Sequence, residues 1–288
     1  MGRVKVITDS TADIPAQLIQ ELDIGVVPLK VHLGGTSYLD GVTIKPDEFY
    51  RKLRESSDLP TTSQPSPIDF VEVYREAAKE GDTDILSIHL SSALSGTYQS
   101  ALLAKSMVES EFKVTVLDSK KASFAIGLIV VEVARAAKAG KSIDECVALA
   151  NRMIEGEQVL FLVDTLDYLQ KGGRIGKASA LVGSLLNIKP ILSLSDQGEV
   201  YPVDKVRGAS KAEARVFELL REKVAAGSRV IAGVVHAERK SKAEEWAAKL
   251  REQYEVEELT ITDVGPVIGT HTGPGVLGVI LYAESLGS

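Results

Sequence analysis

The stretch "DILSIHLSSALSGTYQSALLA" (84–104) passes from a run of branched apolar residues, through four hydroxyl side chains and one glycine, into a segment of helical spacing. Strand, loop and helix in that order are the repeating unit of a parallel α/β sheet. First-turn N–H groups of such a helix have no partner and the helix dipole is positive there, so the loop is a candidate anion cradle. Its candidate residues are Ser92, Ser95, Gly96 and Thr97.

Moving outward, "RVKVITD" (3–9), "GVVPLKVHL" (25–33) and "FKVTVLD" (112–118) read as further strands, and helices are expected near Pro15, from Pro46 to about Ser56, from Ser66-Pro67 to Lys79, and over 122–139 and 142–155. The Ser-, Thr- and Pro-rich "SSDLPTTSQPSP" (56–67) is expected to be loop throughout. Strands alternating with helices predict a parallel, Rossmann-like sheet for the first half.

After "QVLFLVDTL" (158–166) the pattern changes. "KPILSLSDQGEVYPVDKVRG" (189–208) is two strand runs joined by Asp196-Gln197-Gly198, a hairpin signal. A helix at about 209–226, a strand at 229–236, a helix at about 240–253, a strand-like 255–269 and an apolar tail follow. The expectation is two α/β domains, 1–157 and 158–288, the second with a mixed or antiparallel sheet.

Composition narrows the function classes. A formal charge of −7, with Lys and Arg scattered among acids, argues against a nucleic-acid surface. One cysteine, Cys146, cannot form an internal disulfide. No signal pattern precedes the first strand and no apolar run is long enough to span a bilayer, so a cytoplasmic location with at most transient membrane contact is expected.

Familiar motifs fail in detail. "AGKS" (139–142) lacks the first glycine of a P-loop and follows a helix rather than a strand, and "GPGVLG" (273–278) leaves too little chain for a dinucleotide unit. "ALSGT" (93–97) is not a full G-x-S-x-G elbow. His32, His89, His236 and His271 have no metal-ligand spacing, so no metal is expected. What remains are four polar spots after apolar runs: Thr62 with Ser63; the Ser92, Ser95, Gly96, Thr97 loop; Arg174 in a glycine-rich turn before an expected apolar helix; and His271 between two threonines. Each, taken alone, reads more readily as an ordinary loop whose hydroxyls satisfy local backbone groups, with Arg174 solvated and His271 capping a turn.

"ITDSTADIP" (7–15), "TTSQPSP" (61–67), "LSSALSGTYQSA" (90–101), "YLQKGGRIGKA" (168–178), "KVRG" (205–208) and "GTHTGPG" (269–275), in this order, resemble the DegV family over essentially the whole chain. Members of that family include the fatty-acid-binding subunit of bacterial fatty acid kinase. The resemblance implies a long-chain fatty acid in a tunnel between two α/β domains. Its carboxylate-binding threonine and serine fall on Thr62 and Ser95, its arginine on Arg174 and its histidine on His271. It further implies no catalysis and no cofactor in this chain: a separate ATP-using kinase subunit would phosphorylate the presented carboxylate, feeding phospholipid synthesis. The chemistry is compatible, because a buried carboxylate needs donors and each buried methylene contributes about 0.8 kcal/mol. Lining is expected from 179–194 and 264–280. Two other readings stand beside it. One is an acyl hydrolase or transferase using Ser95 or Ser92 with His271, for which Asp263 is the nearest orienting acid in sequence; the other is a carrier of a different amphipathic carboxylate.

Overall fold

A computed structural model describes residues 3–79, 81, 83–183 and 188–283. The apolar runs at 3–9, 83–89 and 114–118 do form adjacent strands. With a short first partner they build one all-parallel sheet in the order Gly25–Val27, Arg3–Asp9, Thr83–His89, Val114–Asp118. Their carboxyl ends, at Asp9, His89 and Asp118, open toward one edge, where ligands of open α/β sheets lie.

The second half forms a six-stranded mixed sheet in the order Val200–Arg207, Ile188–Leu194, Gln158–Leu162, Leu277–Ala283, Arg229–His236, Glu255–Asp263. Only the last pair is parallel. The hairpin turns at Gly198, whose φ of +78° suits glycine. The apolar tail is a central strand, which explains its unbroken burial.

Four elements depart from the sequence expectation. Pro28 ends the run at 25–33, which splits: Lys30–Leu33 leaves the parallel sheet and pairs antiparallel with Thr36–Leu39. The supposed loop 56–67 contains the strand Thr61–Ser63, added to the other edge of Lys30–Leu33. The stretch 255–269 is a strand only to Asp263, and Pro266 then starts the helix Pro266–Thr272. The apolar stretch after Arg174 is a 3₁₀ turn over Gly176–Leu181; residues 184–187 lie outside the described residues.

Between the two large sheets lies the helix Phe124–Lys138, "FAIGLIVVEVARAAK". Ten of its fifteen residues are buried, so it has almost no polar face and is a middle layer rather than a surface helix. Close approach is built in on both sides. A Cβ on Gly127 would lie 2.5 Å from the Ala12 carbonyl, and one on Gly233 would lie 2.6 Å from the Phe124 ring. One apolar cluster therefore runs from Val6 and Ile88 of the first sheet, through this helix, to Val235 and Ile280 of the second.

Candidate ligand-binding site

Where the loops at the carboxyl ends of the parallel sheet meet the inner face of the mixed sheet there is a cavity of about 290 Å³. Its walls are mostly aliphatic, among them Leu90, Leu94, Val159, Phe161, Leu194, Val264, Val267, Val276 and Ile280, and its polar residues include Thr62, Ser63, Gln64, Ser95, Arg174 and His271. An apolar cavity with a few converging polar groups suits an amphipathic ligand. The expected 264–280 lining is there; of the 179–194 stretch, Leu194 lines it among the described residues.

Thr62 reaches the cavity through the short strand Thr61–Ser63, where it is paired with Val31. Ser63 is held on the neighbouring pair by His32, whose Nε2 lies 3.0 Å from Ser63 Oγ. The next helix, Pro67–Ala78, starts at once under a capping box of Ser66 and Asp69, which fixes the exit of this segment.

His271 comes from the far end of the chain. Its helix, Pro266–Thr272, is tied to the first half by three bonds in the segment before it. Gly265 N–H donates to Asp13 Oδ1 (3.0 Å), Thr262 Oγ1 to the Asp13 carbonyl (2.9 Å), and Tyr50 OH to the Val264 carbonyl (3.0 Å). So placed, His271 Nε2 lies 2.8 Å from Thr62 Oγ1. Its Nδ1 is buried without a hydrogen-bond partner among the described residues. Burial first, and the Arg174 charge second, push the imidazole down to about 4, so at neutral pH the ring is uncharged.

Ser95 sits just before the helix Thr97–Val108. Its Oγ accepts from Thr97 N–H (3.3 Å) and lies 2.9 Å from Thr97 Oγ1. Thr97 is itself fully buried and braces Ser95 rather than lining the cavity. Gly96 leaves room for Gln64, whose side-chain amide would lie 2.5 Å from a Cβ at 96. Gln64, part of the quoted "TTSQPSP" but not singled out, is thereby a polar wall residue. Arg174 is anchored by backbone: its Nε donates to the Leu94 carbonyl (3.0 Å) and one terminal N–H to the Gly172 carbonyl (2.6 Å). It lies at the cavity beside His271.

Ser92 corrects the sequence reading. It is exposed and turned away, donating to Asp118 Oδ2 (2.6 Å) at the end of the last parallel strand. The loop is pinned instead by buried Ser91, whose Oγ donates to the Gly198 carbonyl of the hairpin (3.0 Å). Thus Thr62, Ser63, Ser95, Arg174 and His271 come together, Gly96 and Thr97 support them, and Ser92 does not join.

Among the described residues the catalytic alternative finds no acid bonded to His271, and Asp263 Oδ1 lies 3.3 Å from Nδ1 of a different histidine, His236. A linked Asp9, His89 and Ser87 does exist, with His89 Nδ1 3.0 Å from Asp9 Oδ2 and Nε2 2.6 Å from Ser87 Oγ. All three are fully buried, under the Phe70 ring, where they cross-link the parallel sheet. No described helix is long and apolar enough to cross a membrane. Among the described residues no His, Cys, Asp and Glu group has the makings of a metal site.

An apolar cavity between two α/β halves, with hydroxyls and a neutral imidazole gathered in its wall, defines a class: two-sheet α/β proteins with a largely apolar cavity between the halves. The family follows. Residues 3–284 match the family model described as "Uncharacterised protein, DegV family", and the chain belongs to the DegV family. A DegV domain-containing protein of Halalkalibacterium halodurans is 42% identical, covering 99% of this chain and 100% of that one. Among solved structures, a fatty-acid-binding DegV family protein from Thermus thermophilus superposes with TM-score 0.90 at 40% identity, covering 98% of this chain and 99% of that one. A DegV family protein from Ruminococcus gnavus, refined with vaccenic acid, superposes with TM-score 0.85 at 30% identity over 97% and 99% of the two chains.

Proposed function

We propose that this protein binds a long-chain fatty acid in the cavity and presents its carboxylate to a separate ATP-dependent kinase subunit in the cytoplasm, the acyl phosphate feeding phospholipid synthesis. The observation that carries the reading is the convergence of Thr62, Ser95 and His271 in the wall of an otherwise aliphatic cavity. A carboxylate left unpaired there would be heavily penalised; two hydroxyl donors make its burial tolerable. The acyl tail supplies affinity by leaving water, and the polar residues set its orientation. An uncharged His271 can donate or accept at the head group without forming an ion pair that would trap it. Arg174, held by backbone carbonyls rather than by an acid, keeps its charge available for a phosphate or a partner's acidic surface.

Native mass spectrometry of protein purified from bacteria tests the binding step: a mass excess equal to a long-chain acid is expected. Protein that is ligand-free and also takes up neither added palmitate nor oleate would overturn it. Adding ATP and a purified fatty acid kinase subunit to the loaded protein tests presentation, with acyl phosphate formation expected.

A further inference from the structure

A second cavity, of about 490 Å³, adjoins the first. Val159 and Leu194 line both. The backbone ladder between Gln158–Leu162 and Ile188–Leu194 is confined to Phe161 with Leu192 and Leu162 with Ile191; toward Val159 and Leu194 it parts, and there the strands are linked by Ser193 Oγ donating to the Val159 carbonyl (2.6 Å). The second cavity occupies that divergence.

Its polarity is unlike that of an acyl tunnel. Glu157, 4% exposed, lines it, and neither carboxylate oxygen has a hydrogen-bond partner among the described residues. Lys121, 9% exposed, lines it too and is the charge that acts on Glu157, without bonding to it. Lys120 and Lys223 add further donors. Burial pushes the Glu157 carboxyl well above the usual range while Lys121 opposes the shift. A methyl chain end would leave Glu157 as it is, buried and unpaired. A second carboxylate would meet the three lysines but would also sit among Glu155, Glu157 and Asp196. A neutral hydroxyl fits: it donates to a carboxylate or accepts from a carboxylic acid, and accepts from an ammonium as well.

We infer that the second cavity receives a hydroxyl carried on the far part of the acyl chain, between Glu157 and Lys121, so that the protein favours a hydroxylated long-chain fatty acid. The inference rests on the fatty-acid reading of the first cavity.

Displacement titrations of the delipidated full-length protein with palmitate and ω-hydroxypalmitate test it. Wild type should bind the hydroxy acid about ten-fold more tightly, the scale of one hydrogen bond to a charged group. In Glu157→Leu the order should reverse in favour of palmitate. Lys121→Met, which leaves Glu157 in place, should reduce the preference toward parity and serves if Glu157→Leu folds poorly. Palmitate binding with no preference in wild type, or a preference unchanged in these variants, overturns the inference and leaves the fatty-acid reading standing. Failure to bind either acid overturns both.

Discussion

At the scale of single residues, the proposed head-group site is two hydroxyls and a neutral ring. Ser95→Ala should cost about 1–3 kcal/mol of fatty-acid affinity by leaving a buried carboxylate one donor short. Unchanged affinity by calorimetric titration would remove Ser95 from the site. Two groups, the half-buried His271 and the buried Asp40, also give opposite pH signatures. His271 titrates near 6.5 when unfolded and near 4 when folded, so its contribution to stability is present above 6.5 and is lost as pH falls through about 4. Asp40, pushed by burial from 3.8 to about 7, contributes stability below 3.8 that is lost as pH rises through about 7. Relative to wild type, the Tm of His271→Gln should therefore rise on acidification from 6.5 to 4, and that of Asp40→Asn should rise as pH increases from 4 to 7. Flat difference curves for both variants would contradict the assignment. Thr62, Ser95, Arg174 and His271 were singled out as polar residues following apolar runs, and it was the family resemblance, not any one residue's chemistry, that joined them into one proposed site. Ser92 was misread because one residue along a loop decides whether a hydroxyl faces the cavity or the Asp118 carboxylate, and no periodicity governs a loop.

At the scale of elements, glycine and a distant strand edge do what local sequence does not announce. A Cβ on Gly172 would lie 2.3 Å from His271 Nδ1, although the backbone at 172 (φ −75°, ψ −8°) is one that alanine adopts freely. Gly172→Ala is thus a purely steric probe. It should destabilise by about 1–3 kcal/mol through overpacking and move the His271 titration from about 4 back toward 6.5 as the ring is displaced. Denaturant unfolding and proton NMR of the imidazole would check both; a wild-type titration in a wild-type-stable variant would refute the contact. The strand Thr61–Ser63 was hidden for a related reason. It lies between Pro60 and Pro65, which punctuate loops, and is extended because Lys30–His32 offers an edge to pair with.

At the scale of the molecule, the two sheets divide the chain near residue 157, yet they share one core through the helix Phe124–Lys138. We propose 1–157 and 158–288 as domains in the topological sense only. A fragment of residues 1–157 would expose the face of that helix that packs on Gly233 and Ile280, and should bind hydrophobic dye and lack a cooperative thermal transition. A fragment that melts sharply and binds no dye would show the halves to be independent. The sequence by itself determined most of the helices and strands, the parallel sheet, the hairpin, the family resemblance and the residue types of the proposed head-group site, because each rests on local periodicity, turn chemistry or short motifs. Only the tertiary structure decided that His271 meets Thr62, that Ser92 turns away, and that Glu157 is buried beside a second cavity with no hydrogen-bond partner among the described residues. Those outcomes depend on which distant segments pack together, 209 residues apart for Thr62 and His271, and no local pattern encodes that.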